Sequence, residues 1–253
     1  MKMQEKHTDS FISLIIERIY KNGMTTTSGG NISIMDDTGD MWITPSAVDK
    51  GSLLPSDIML IKKDGSIFGK HKPSSEYPFH KAIYSTCPEI KAIIHAHPPA
   101  LVSFSITRQI PDTNITPHTK SICGTVGYAK YELPGSIMLG NIIAEEFKKG
   151  FKAVIMENHG VVVGGTDMTD AFNRFETLEY CCQTIICGKT IGEVSYLSDK
   201  EIEDYSKNIP GLFPEIEKFT YSDEDNTIRN EIVTIIKRAC AQKLMINSFG
   251  TVS

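Results

Sequence analysis

Apolar residues recur at helical spacing near the start of the chain, at Phe11, Leu14, Ile15 and Ile19 around Arg18. Asp9 or Ser10 caps the predicted helix and Asn22-Gly23 ends it. A polar loop, "TTTSGGNISI", then runs into a strand, and "MWITPS" and "DIMLIKKDGSIFG" read as further strands with a turn at Lys63-Asp64-Gly65. Ser74 or Ser75 caps a helix from Glu76 to about Ser85, and "IKAIIHAH" is a short buried strand. Pro98-Pro99 suits the first turn of another helix, where the donor that proline lacks is unpaired anyway. Gly135-Ser136 opens an amphipathic helix through Phe147, "KAVIMENHGVVVGG" gives two strands around a turn, and Asp167 caps a long helix through Cys187. A smaller helix starts at Ser198, and Pro210 to Pro214 form a connector. Helices and strands alternate without regular βαβ spacing, which predicts a mixed sheet flanked by helices.

The end of the chain echoes its beginning. With a shift of 220 residues, Ile12, Ile15, Ile16, Arg18, Ser28, Gly30 and Ser33 fall on Ile232, Ile235, Ile236, Arg238, Ser248, Gly250 and Ser253. The expectation is a tandem repeat whose second copy is cut short. Residues 1–220 are then the functional domain, and 221–253 hold a linker, with the acidic "YSDEDN", plus the start of the second repeat.

Charge and composition narrow the function classes. The 253 residues carry 26 basic and 31 acidic side chains, a net charge of -5, interspersed rather than blocked, so no basic stripe points to nucleic acid or to an anionic membrane. A small-molecule partner is the default. The opening "MKMQEKHTDSFISLII" lacks the long apolar core and small-residue cleavage site of a signal peptide, and no apolar window approaches a membrane span. Cys87, Cys123, Cys181, Cys182, Cys187 and Cys240 form no CxxC pair and lie mostly in apolar segments, which reads as reduced, buried thiols in a cytoplasmic protein.

Candidate chemistry gathers around histidine. In "AIIHAHPPA", His95 and His97 are two apart on a strand and share a face, while Pro98 holds His97 extended. His159, in "ENHGVVVGG", follows an apolar strand and precedes Gly160, which permits a sharp turn. Three neutral imidazoles with open positions suit catalytic zinc and accept other first-row metals. His80, one turn after Glu76, reads as packing. In "KPSSEYPFH", Glu76 is open to three roles: capping partner, metal ligand, or general acid and base. The two serines and the free N–H groups of that helix start offer an anion site, to which the Gly29-Gly30-Asn31 loop adds donors. Glu176 and Glu179 read as solvated or paired structural charges.

"TTTSGGNISI", "WITPSAVDKG", "KPSSEYPFHKAIY", "AIIHAHPPALVSFS", "YELPGSIMLGNIIAEEF" and "ENHGVVVGG" occur in an order and spacing that resembles the class II aldolase/adducin family, over about residues 9–207. The resemblance is strongest to its L-fuculose-1-phosphate aldolase branch. It implies a three-layer fold, with a central mostly antiparallel sheet between helices, assembled as a homotetramer with sites at subunit interfaces. It also implies a zinc ion on His95, His97 and His159, with Glu76 as the catalytic carboxylate, and a substrate phosphate held by Gly30, Asn31, Ser46, Ser74 and Ser75. The implied activity is metal-dependent cleavage of a phosphorylated ketose to dihydroxyacetone phosphate and an aldehyde, with the metal replacing a Schiff-base lysine.

Two departures stand out. Ala47 occupies a glycine position of the pattern; its backbone N–H survives, so the expected loss is small. The branch draws a second acid, a tyrosine, from a neighbouring subunit, yet "RQIPDTNITPHTK" contains none. Asn114, Thr116, His118, Tyr128 and Tyr131 are the candidate substitutes. A sugar-phosphate dehydratase or epimerase of the same family, or an inactive metal-binding assembly module, are the competing readings. Aspartate replaces Glu76 in the epimerases, and adducin-like members lack the metal ligands.

Overall fold

The computed structural model describes residues 8–208, 222–242 and 244–245. The chain divides into two compact units, one through Tyr196 and one from Leu197.

The first unit is built on an eight-stranded sheet. Its strands are β1 (Asn31–Met35), β2 (Met41–Ile43), β3 (Met59–Ile61), β4 (Ile67–Phe68), β5 (Ala92–Ala96), β6 (Gly127–Ala129), β7 (Ala153–Met156) and β8 (Gly160–Gly165). Their order is β4-β3-β2-β1-β5-β8-β7-β6, and every pairing is antiparallel except β6 with β7. Strand residues alternate between two cores, as the period of two requires. Ala92, Ile94, Ala96, Val161 and Val163 pack on one side with helices α1 (Thr8–Lys21), α3 (Pro99–Ile106) and α6 (Met168–Ile191). Ile93, Val154 and Val162 pack on the other with α2 (Tyr77–Thr86) and α5 (Ile137–Lys148). The result is a three-layer sandwich with a mostly antiparallel centre, as expected.

Local chemistry sets the helix ends. Ser136 and Asp167 cap α5 and α6 by accepting from Leu139 N–H and Asp170 N–H. Thr116 caps α4 (Pro117–Cys123) in the same way. Pro98 stands at the N-cap of α3 and Pro99 at its first position. At α2 the cap position belongs to Glu76, one or two residues later than expected, and Ser74 Oγ accepts from Glu76 N–H.

Observed burial corrects two expectations. Glu179 is fully buried rather than solvated, and its carboxylate accepts from the N–H groups of Ala100 and Leu101, tying α6 to the start of α3. Of the six cysteines, all free, Cys187 and Cys240 are exposed.

The second unit contains α7 (Asp199–Asn208) and α8 (Asp223–Ala241). Ser222 caps α8 in a reciprocal pair with Asp225, and Asp223, Glu224 and Asp225 fill the first turn. The acidic stretch read as linker therefore opens a helix, because negative side chains complement the free N–H groups there. Helix α8 carries Ile232, Ile235, Ile236 and Arg238 of the echo, whereas Ser248, Gly250, Ser253 and the Pro210 to Pro214 connector lie outside the described residues. No described helix is long and apolar enough to cross a membrane.

Candidate active site

His95 is the second-last residue of β5, on the face turned to α2, where Phe79 meets its ring edge-on. Its Nδ1 donates to the carbonyl of Val161 at 3.0 Å, which fixes the tautomer and leaves the Nε2 lone pair toward the sheet end. His97 lies just past the strand and keeps the same face, with its Nε2 3.1 Å from His95 Nε2. His159 sits in the turn between β7 and β8, its ring stacked on that of His97. The left-handed residue of this turn is Asn158, at φ 55°. Gly160 is needed for space, since a Cβ there would stand 2.5 Å from the carbonyl oxygen of Ala96.

The ligand atoms of His95, His97 and His159 all lie within 4.8 Å of one another. Glu76 closes the group: Oε2 is 3.2 Å from His95 Nε2 and accepts from Asn31 Nδ2 at 2.8 Å. Oε1 is 3.6 Å from His159 Nε2 and has no hydrogen-bond partner among the described residues. Electron-rich atoms thus converge on His95 Nε2, an arrangement that a shared cation relieves. A proton serves, and so does a divalent metal ion, for which three neutral imidazoles are a fitting donor set.

Electrostatics agree with that fit. Burial lowers the pKa of His97 to about 3 and of His159 to about 4, helped in each case by the charge of His95. Both rings are neutral and ready to ligate at neutral pH. Burial opposes ionisation of Glu76, but His95, His159 and the Asn31 amide together hold its carboxyl well below the usual range.

The structure also shows where each residue of the expected phosphate wall stands. Gly30, at φ 70°, lies so close to β5 that a Cβ would be 2.7 Å from His95 O. Ser46 and Ser74 are on adjacent segments, joined by Ser46 N–H to Lys72 O and Ser74 N–H to Thr44 O, and Ser75 is exposed beside them. Asn31 is different: Nδ2 binds Glu76 and Oδ1 faces His80 Nε2 at 2.5 Å, so its side chain already serves the carboxylate. The start of α2 is also occupied, because Glu76 and Tyr77 N–H are held by Ser74, Phe79 N–H binds Glu76 O, and Pro78 has none.

Two contributors escaped the sequence reading. Lys50 is buried, and its Nζ donates to the carbonyls of Pro45 and Val48 while its backbone N–H binds Thr27 O. Its pKa is lowered to about 8 by that burial. It straps the 45–48 turn to the glycine loop. His80 is the other: fully buried and held neutral at about 3, it belongs to the site's support. Of the substitutes for the second acid, Thr116 is used as a helix cap, Tyr128 lies on the edge strand β6 and Tyr131 is exposed.

Known proteins resemble this chain in sequence and fold. The family described as class II aldolase and adducin N-terminal domain matches residues 12–186. A 3-oxo-tetronate 4-phosphate decarboxylase of Haemophilus influenzae is 31% identical over 73% of this chain and 89% of its own. A 5-deoxy-D-ribulose 1-phosphate aldolase of Bacillus thuringiensis serovar kurstaki is 31% identical over 77% of this chain and 92% of its own. Among solved structures, an L-fuculose 1-phosphate aldolase superposes with a TM-score of 0.71 at 30% identity, covering 79% of this chain and 94% of that one. With the family match spanning most of the chain and the fold shared with a solved member, the chain belongs to the class II aldolase and adducin family.

Proposed function

We propose that this protein is a zinc-dependent carbon–carbon lyase that cleaves a phosphorylated ketose of the L-fuculose-1-phosphate type into dihydroxyacetone phosphate and an aldehyde. The observation that carries the reading is the convergence of the His95, His97 and His159 imidazoles, beside a carboxylate oxygen with no hydrogen-bond partner among the described residues. A bound divalent ion would supply Lewis-acid stabilisation of the charge that develops as the bond breaks.

The chain's own residues do the rest. His95, His97 and His159 hold the ion, with the Val161 carbonyl keeping His95 in register. Glu76 Oε1 moves a proton to and from the enediolate carbon, and Asn31 keeps the carboxylate aimed. Gly30, Ser46, Ser74 and Ser75 bind the phosphate away from the reacting bond, which contributes through positioning. Tyr131, Leu133, Ile137 and Met138 form an exposed apolar run, with Gly135 between them against the Ser75 carbonyl. Neighbouring subunits of the proposed tetramer would cover that run.

One feature favours a second reading, decarboxylation of a phosphorylated 3-oxo acid. Loss of carbon dioxide leaves no hydroxyl proton to be moved, so the tyrosine-free stretch 108–120 is no handicap. The test is to measure bound metal and then assay ketose-1-phosphates for dihydroxyacetone phosphate and 3-oxo-tetronate 4-phosphate for carbon dioxide, with Glu76→Gln beside the wild type. Glu76→Gln should keep its metal and lose about 100-fold or more in turnover. Bound metal without cleavage of any phosphorylated substrate would sink both readings and leave a binding module.

A further inference from the structure

Behind Glu76, α2 and β1 meet in a ladder of buried polar groups. Glu76, His80 and Tyr84 are spaced by four along α2, a rise of about 6 Å per step. Asn31 and Ser33 are spaced by two along β1, a rise of about 6.6 Å. The two stripes match tooth for tooth. Tyr84 OH and Ser33 Oγ are 2.7 Å apart, Ser33 Oγ and His80 Nδ1 2.7 Å, His80 Nε2 and Asn31 Oδ1 2.5 Å, and Asn31 Nδ2 and Glu76 Oε2 2.8 Å. Asn31 also pairs with His95 and Ser33 with Ile93 across the β1–β5 register, so the ladder rests on the strand that carries the metal ligands.

Such a chain has two possible polarities, and its far end selects one. A neutral imidazole has one donor and one acceptor. If Tyr84 donates to Ser33, then Ser33 donates to His80 Nδ1, His80 Nε2–H donates to Asn31 Oδ1, and Asn31 Nδ2 donates to Glu76. Every group is then satisfied. The reverse order would leave the Tyr84 hydroxyl proton undonated, since Ser33 is the partner that the described residues offer it. It would also turn Asn31 Oδ1 toward Glu76, against a carboxylate.

We infer that His80, held in its Nε2–H tautomer by Ser33 and Tyr84, is a positioning residue that fixes the Asn31 amide so that Glu76 Oε2 is always an acceptor and Oε1 alone faces the reaction. This deepens the proposed lyase reading and rests on it for its effect on turnover; the tautomer itself does not depend on turnover.

Two measurements test it. Long-range proton–nitrogen spectra of the ¹⁵N-labelled full chain should show His80 protonated at Nε2 and bare at Nδ1, with or without metal. In Ser33→Ala the tautomer preference should be lost, and kcat should fall about 10-fold while KM and bound metal stay within about two-fold, the range seen when outer partners of a site are removed. An Nδ1–H tautomer in the wild type overturns the proposal. So does a Ser33→Ala protein whose kcat is unchanged, or one whose KM and metal content collapse with kcat, which marks a merely structural role. If the wild type cleaves no phosphorylated substrate, the lyase reading fails on its own, and the tautomer still decides the polarity.

Discussion

The histidine corner and the loop wall beside it are held by different physics. His95 and His159 are placed by the β5–β8–β7 register, and His97 by its attachment to β5, so continuous ladders of backbone hydrogen bonds fix the three imidazoles. The wall is made of turns at 25–30, 44–50 and 72–76, joined by a few bonds and strapped by one buried lysine. A register cannot shift by one residue without turning a whole strand inside out. Turns adjust singly. Under the proposed function, the chemistry falls to the rigid half and substrate choice to the adaptable half, where this chain also departs from its family's pattern at Ala47.

The hardest test of that division is His97→Ala. Bound metal should fall at least about 10-fold and turnover at least about 100-fold, because two imidazoles hold a first-row ion far more weakly than three. Elemental analysis after dialysis and a kinetic assay read the two effects. If metal stays bound, the histidine corner is not the centre of the site.

Acid should strike the corner next. His80 and His97 are lowered to about 3 and His159 to about 4 by burial, so the folded state stays unprotonated where the unfolded chain binds protons. Below about pH 6.5 the unfolded state therefore holds more protons, and stability falls as pH drops, by up to about 1.4 kcal/mol per group per pH unit. The melting temperature of the metal-free protein should be lower at pH 5 than at pH 7. Added metal should raise the melting temperature at both pH values and leave the gap in place, since it binds the folded site, whose His97 and His159 rings are neutral at both. A flat acid profile would mean that the rings are solvated.

Lys50→Met moves the test to the wall. Removing Nζ strands the buried carbonyl of Pro45 and the half-buried one of Val48, a cost of about 1–3 kcal/mol. KM for the phosphorylated substrate should rise while bound metal is unchanged. A second signature lies in alkali: burial lowers Lys50 from 10.5 to about 8, so between these values the unfolded state holds the extra proton and wild-type stability gains with rising pH. That gain should vanish in the variant. Metal lost together with substrate affinity would show that the two halves are not separable.

Much of this was legible in the chain, and for identifiable reasons. The helices that define both outer layers declared themselves through caps such as Ser136 and Asp167 and through apolar spacing, both local properties. The histidine trio was readable because H-x-H before proline fixes a face, and because motif order tied it to His159 and Glu76. What stayed hidden depends on contacts far apart in sequence. His80 looked like packing on a helix because its partners, Asn31 and Ser33, lie 49 and 47 residues away on another element. The E-x-x-x-H-x-x-x-Y stripe opposite N-x-S was the available signal, but it acquires meaning only when α2 is laid on β1. Lys50 went unmarked for a similar reason, since its carbonyl partners are turn atoms that no side-chain pattern marks. Asp223 to Asp225 were misread as linker, although Ser222 three residues before Asp225 is a capping pair visible in the sequence itself.

The smallest expected effect is the sharpest on the wall. Ala47 adopts φ 56°, in the left-handed region where a Cβ crowds its own backbone. Its side chain is exposed, so Ala47→Gly removes that strain without opening a cavity. Against the gain stands the greater freedom of glycine in the unfolded chain, leaving a net stabilisation of about 0.5–1 kcal/mol. For a domain of this size that is a rise of about 2–3 °C in melting temperature. The backbone N–H at position 47 is the same in both proteins, so KM should stay within about two-fold if that group is what the turn contributes. A much lower KM in Ala47→Gly would instead mean that the methyl itself obstructs the phosphate, and that at this one turn substrate choice is set by a side chain rather than by the path of the backbone.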